Sequence, residues 1–137
     1  MNLNLNTELG YVVFVTVFML AQYIYFTMRA GLARDKDQKV VAPAMTGSEQ
    51  FEKKLRVQLN TLEQLVVALP ALWLCAVFFR ADVAAILGLI FLVGRFAYSV
   101  GYLSTDVKNR AAGMILSMLS NVVMLGCAVF GAARSLL

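Results

Sequence analysis

Arg56-Val-Gln-Leu-Asn60-Thr-Leu-Glu63, followed by an apolar run that reaches Phe79 with Gln64 as its only other amide or charge, decides how this chain folds. At 3.6 residues per turn, Arg56, Asn60 and Glu63 fall within roughly 60° of one another on a helix. The run that follows is long enough to cross a bilayer, which takes about 20 residues. A cation, an amide and a carboxylate are thus carried into a membrane span. Charged side chains cost about 2.5–3.5 kcal/mol each at the bilayer centre, so the stripe reads as a site.

The rest of the chain agrees with a membrane protein. Of its 137 residues, 61% are hydrophobic and only 15% charged, against about 25% charged in average soluble domains. The length allows one domain over residues 1–137. Histidine is absent, which excludes His-based metal sites, imidazole dyads and histidine pH switches. No metal site is expected. Cys75 and Cys127 both sit in apolar runs and read as small buried hydrophobes, with no disulfide implied.

Four spans are expected, at about 9–28, 59–79, 83–103 and 111–133, giving an all-α four-helix membrane bundle. Phe79-Arg80-Ala81-Asp82 is a minimal turn, so the second and third helices form an antiparallel hairpin. Ser104 to Arg110 is a second short connection. The segment from Arg29 to Ser48 is longer and charged, with Pro43 and Gly47 as breakers. Ser48 suits an N-cap, and Glu49, Gln50 and Glu52 suit a first turn. Gly88, Gly94, Gly101, Gly113 and Gly126 are expected to permit close helix approach.

Counting cations sets the topology. Arg29, Arg34, Lys36, Lys39, Lys53, Lys54 and Arg56 belong to the first loop and Lys108 and Arg110 to the third, while only Arg80 and Arg134 lie on the opposite side. The basic loops therefore face the cytoplasm and both termini the other side. The net charge of +4 sits in these loops and reports topology rather than nucleic-acid binding.

The third span carries a second stripe, Arg95, Tyr98 and Tyr102. It lies at the same depth as Arg56, Asn60 and Glu63, with Arg34 closing the first helix and Arg110 opening the fourth on the same side. Several cations with one carboxylate suit an anionic molecule that also carries an amine. Tyrosines add hydroxyls and ring faces where one end is wet and the other apolar. Each residue also has a plainer reading. Glu63 could pair with Arg56 or Asn60 inside the bundle, Arg95 with Glu63 or Asp106, and the tyrosines could be interfacial-belt residues. Arg110 could serve topology alone. Lys36, Lys39, Lys53 and Lys54 read as headgroup-facing charges, and Trp73 and the methionines as packing or lipid-facing residues.

Arg56-Val-Gln-Leu-Asn-Thr-Leu-Glu63, Leu72-Trp73 and Gly94-Arg95-Phe-Ala-Tyr98-Ser-Val-Gly-Tyr102 together resemble the MAPEG family, the membrane-associated proteins in eicosanoid and glutathione metabolism. The resemblance covers nearly the whole chain. It implies a homotrimer of four-helix subunits with glutathione held at each subunit interface as co-substrate. It also implies glutathione-binding roles for Arg34, Arg56, Gln58, Asn60, Glu63, Arg95, Tyr98 and Tyr102. Gln58 lies about 200° from Arg56 and would serve a neighbouring subunit's site. In the glutathione-conjugating members an arginine opening the fourth helix activates the thiol, and Arg110 fits that catalytic role. Counted from Tyr102, Arg110 sits one residue later than in the leukotriene-forming members and matches microsomal glutathione transferases. Asn109 occupies the earlier register, Lys108 is a competing cation, and Gln64 stands where the leukotriene-forming members have a tyrosine.

The resemblance thus implies a membrane glutathione transferase acting on a lipophilic electrophile, with peroxidase activity toward lipid hydroperoxides as a side reaction. The rival on the same fold is a non-catalytic scaffold that binds lipid or glutathione. A small four-helix drug exporter would want a membrane carboxylate unopposed by cations, and Arg56 and Arg95 near Glu63 argue against it. The ending at Leu137 carries no endoplasmic-reticulum retention signal, which favours a bacterial inner membrane.

Overall fold

The computed structural model describes residues 3–36 and 40–137. Lys39, counted above among the loop cations, lies outside the described residues. Four helices follow in order: α1 Leu3–Lys36, α2 Glu49–Phe78, α3 Ala81–Leu103 and α4 Arg110–Leu136, with a short 3-10 turn, Val107–Asn109, before α4. All four are long and apolar enough to cross a membrane. Even the shortest, α3 with 23 residues, is roughly 35 Å long against a hydrocarbon core of about 30 Å. The chain is an all-α four-helix membrane bundle.

The helix boundaries have local causes. Ser48 caps α2, its Oγ accepting from the Phe51 amide at 3.2 Å, and Glu49 and Glu52 occupy the first turn. Two residues separate α2 from α3, and Arg80 pairs with Asp82 across that turn. Asp106 caps the 3-10 turn by accepting from the Lys108 amide at 2.9 Å. Pro70 stands inside α2 without ending it, as membrane helices tolerate. The first helix is longer than its hydropathy implies. It continues through Arg29–Lys36 because Ala30 and Ala33 are buried there, Ala33 against Val40 and Phe51.

The α2–α3 hairpin is the centre of the bundle. α1 packs on one side of it and α4 on the other, with the most extensive contact between α3 and α4. One core, at the end away from the basic loops, is built from Val12, Val15, Met19, Leu72, Phe91 and Met124 among small residues such as Ala68, Ala71 and Ala84. Cys75 belongs to it, Cys127 packs against it, and both are free thiols. Trp73 also packs there. A smaller cluster of Phe26, Val57 and Tyr98 lies toward the basic loops. Outside, Phe14, Val17, Val66, Val93, Phe96, Val122 and Val129 are exposed, an apolar coat suited to lipid or a protein neighbour.

α3 and α4 approach each other backbone to backbone. A Cβ on Gly94 would meet the Ser117 amide nitrogen at 2.8 Å, and one on Gly113 would collide with the backbone of Tyr98 and Gly94. Gly101 faces the Asn109 carbonyl equally closely. Of the glycines expected at such contacts, Gly126 is not one: it meets open space. Gly131, which packs on the Phe78 carbonyl, takes that role instead. Gly113→Val should force α3 and α4 apart at a cost of about 1–3 kcal/mol. Thermal unfolding in detergent checks this, with Gly126→Ala as the variant expected to keep the wild-type midpoint.

Candidate functional site

The α3–α4 contact sets the start of α4 beside the basic end of α3, and the hairpin sets α3 beside the polar stripe of α2. Arg95 lies where they meet, 0% exposed. Its Nη2 donates to Asn60 Oδ1 at 3.0 Å and to Thr61 Oγ1 at 2.9 Å. The guanidinium also sits over the Tyr98 ring, 4.2 Å from its centroid. Such a contact contributes about 2 kcal/mol when desolvated. The Thr61 hydroxyl donates its own proton to the Val57 carbonyl at 2.7 Å, so its lone pairs face Arg95.

The amide of Asn60 links cation to carboxylate. Its oxygen accepts from Arg95 while its nitrogen donates to Glu63 Oε2 at 3.2 Å. The hydrogen-bond partners of Arg95 are thus two neutral groups, and neither Glu63 nor Asp106 pairs with it among the described residues. From Tyr98 the contacts run outward. The Tyr98 and Tyr102 rings lie 5.5 Å apart, and the Arg110 guanidinium stands 5.3 Å from the Tyr102 centroid. Glu63, Asn60, Arg95, Tyr98, Tyr102 and Arg110 therefore form one continuous chain of contacts across three helices.

A cavity of about 360 Å³ opens beside this chain, lined by Arg56, Leu59, Tyr102, Val107, Glu52 and Lys53 among others. Arg56 and Glu63 are exposed in the subunit, Asn60, Tyr102 and Arg110 are half-buried, and Tyr98 is buried. Lys108 is exposed, and Asn109 turns its side chain to Ser104 Oγ at 3.3 Å. Arg110 is therefore the cation of that turn that reaches the tyrosines. Arg34 stands apart, donating to the Ala44 carbonyl at 2.6 Å and lying 4.7 Å over the Phe51 ring. Gln58 is half-buried, away from the chain of contacts. Lys53, expected among headgroups, turns inward to Glu49 at 2.7 Å and the Ser104 carbonyl at 3.4 Å.

Sequence reasoning missed Thr61. The signal that could have found it is its place beside Asn60 as a hydroxyl inside an apolar face. It also missed the Gln64–Asn121 bond, 3.1 Å between α2 and α4, and the Gln22 bond to the Leu92 carbonyl at 2.9 Å. Both are interhelical polar ties of the kind that join membrane helices, for about 0.6 kcal/mol each.

Fold and site together define a four-helix membrane protein with a cluster of cations, phenols and a carboxylate at the end of its central hairpin. The MAPEG family model matches residues 11–130, and the chain belongs to that family. An uncharacterized protein of the cyanobacterium Synechocystis is 42% identical over 132 residues, covering 96% of this chain and 92% of the relative. Human microsomal glutathione S-transferase 2 is 37% identical over 125 residues, covering 90% and 82%. Leukotriene C4 synthase of Cavia porcellus is 29% identical over 127 residues, covering 93% and 83%.

Thr61→Val keeps the shape of the side chain but leaves Arg95 Nη2 with one partner fewer. The unfolding free energy should fall by about 1–3 kcal/mol, measured by reversible denaturation in mixed micelles. Thr61→Ser, which restores the hydroxyl, should recover most of the loss.

Proposed function

We propose that this protein is a membrane glutathione transferase that adds the glutathione thiolate to a lipophilic electrophile. The observation that carries the reading is the continuous chain from Glu63 to Arg110 beside a cavity that Arg56 and Tyr102 share. Its charges complement a small zwitterionic thiol. Glu63 pairs the glutathione ammonium, and Arg56 takes a carboxylate with bidentate geometry. Arg95 holds Asn60 and Tyr98 in place rather than opening to solvent. The relatedness to human microsomal glutathione S-transferase 2 supports the same ligand.

Arg110 supplies the chemistry. A free thiol has a pKa near 8.5, so about 3% is thiolate at pH 7. A guanidinium beside the sulfur favours the anion. The thiol proton leaves to water, the sulfur attacks the electrophilic carbon, and the leaving group departs with its electron pair. A depression of about two units makes most of the thiol anionic, a gain of roughly 25- to 30-fold, partly offset by the weaker nucleophilicity of a less basic thiolate. Positioning of the electrophile against the apolar helix faces supplies the remainder. With a lipid hydroperoxide, two glutathiones give glutathione disulfide, the alcohol and water.

A homotrimer, one domain per subunit, completes the reading. Glu63 is exposed between Leu62, Val66 and Val67. A charged side chain facing lipid would cost on the order of 2.5–3.5 kcal/mol, and a neighbouring subunit removes that cost. The same neighbour gives Arg34 and Gln58, which stand outside the subunit's own cluster, a site to serve. The basic loops and the site face the cytoplasm, of a bacterial inner membrane in this reading.

The test is turnover with glutathione and an aryl-halide acceptor. Arg110→Ala should lower the rate at neutral pH by about three- to fourfold, the thiolate gain less the nucleophilicity offset, and move the apparent pKa of the rate profile up toward about 8.5. Undiminished turnover in that variant removes Arg110 from the mechanism. Absence of glutathione binding to the wild type at millimolar ligand, by calorimetry, leaves a lipid-binding scaffold instead.

A further inference from the structure

A second cavity, of about 460 Å³, lies on the other face of α2 at the same end of the bundle. Arg29, Lys53, Lys54, Glu49, Leu103 and Ser104 are among the residues that line it. It shares Lys53 and Glu49 with the cavity beside Tyr102, but none of Arg56, Asn60, Glu63 or the tyrosines reaches it. Its charges are unevenly matched. Glu49 is occupied by Lys53 at 2.7 Å. Lys54 makes no hydrogen bond or ion pair among the described residues, and Arg29 has only the Tyr25 ring, 5.5 Å from its guanidinium. Two half-buried cations thus line one cavity without a paired anion among the described residues, its carboxylate being held by Lys53.

The cavity narrows toward the bundle. Arg29, Lys54 and Leu103 also line a tight crevice with Phe26, Val57 and Ser99. Ser99 is 2% exposed and its hydroxyl has no partner among the described residues. Beside the opening, Tyr25, Met28 and Leu32 of α1 present an exposed apolar strip. Cations at the end of the spans, an unpartnered hydroxyl below them and an apolar strip alongside complement a phosphate ester joined to hydrocarbon chains.

We infer that this cavity binds the headgroup of an anionic phospholipid. Arg29 and Lys54 hold the phosphate, Ser99 marks the polar floor, and the acyl chains lie along Tyr25, Met28 and Leu32. Lys53 stays with Glu49 and Ser104. The site is independent of the glutathione reading, since its charges are outside that cluster. It ties α1 to the α2–α3 hairpin at the end where α1 is otherwise held by Ala33 and Phe26.

Delipidated full-length protein in neutral detergent, titrated with short-chain phosphatidylglycerol or phosphatidylcholine and read by native mass spectrometry, tests this. Phosphatidylglycerol should bind more tightly by about thirtyfold, the product of two basic contacts near a membrane surface. The Arg29→Gln/Lys54→Gln double variant should lose that preference while keeping the wild-type thermal midpoint in detergent, which shows that it is folded. Lys36→Gln, altering a cation outside this cavity's lining, should keep the preference. Equal binding of the two lipids, or a preference that survives in the double variant, overturns the site. So does inorganic phosphate displacing the lipid at millimolar concentration, which would make it a site for soluble anions.

Discussion

The structure depends on how one buried cation is held. Arg95 lies fully enclosed in a bundle of apolar helices, where an unpaired charge would cost several kcal/mol. It is answered in part by neutral groups, the Asn60 oxygen, the Thr61 hydroxyl and the face of Tyr98, while its Nε and Nη1 have no hydrogen-bond partner among the described residues. That solution has a consequence for α2. Asn60 and Thr61 are consecutive residues, about 100° apart around the helix, and both must reach one guanidinium. This fixes the rotation of α2 against α3, and with it the direction in which Arg56 and Glu63 project. The carboxylate is spared from closing an ion pair with Arg95 and remains exposed in the subunit.

The second constraint is steric. Gly94 and Gly113 let α3 and α4 touch backbone to backbone, and Gly101 lets the turn before α4 fold onto α3. Larger residues would move the α4 start away from Tyr102. Small side chains at a crossing thus decide where a charged side chain at a helix terminus stands. In a membrane this carries particular weight, because lipid supplies no hydrophobic drive toward tighter packing and close contact has to come from shape.

These two constraints explain what could be read from the sequence. The spans, the Phe79–Asp82 turn and the Ser48 cap are local, set by hydropathy and by side chains that bond their own neighbours. The turn and the cap are found where the residues imply, and four long apolar helices are present. The two polar stripes at one depth are also legible, since depth follows from distance along a span. The partners of Arg95 are not. Glu63, Asp106, Asn60 and Thr61 are all within reach for some rotation of the helices, and the choice among them is made by tertiary contact. The charged Arg29–Lys36 stretch misleads for a related reason. Its charges resemble a loop, but Ala30 is buried, Ala33 packs with Val40 and Phe51, and the helix runs on. Arg34 consequently ends beside Phe51 and Ala44 instead of beside Arg56.

In the proposed reaction, holding and activating would be separated along this architecture. The residues that complement a zwitterion project from α2, whose orientation is locked by Arg95. The cation suited to a thiolate comes from α4, whose position is set by the glycine crossing and by the short Ser104–Asn109 turn. A cation buried like Arg95 is poorly placed to stabilise an external anion, because it is fully enclosed between the helices. Arg110, half-buried and stacked on Tyr102, makes no side-chain hydrogen bond or ion pair among the described residues and keeps some access to water, so in the proposed reaction its field would act on a sulfur brought beside it. One guanidinium therefore specifies the frame and the other remains available for chemistry. The difference between them is burial, set by whether the arginine lies within a helix crossing or at its edge.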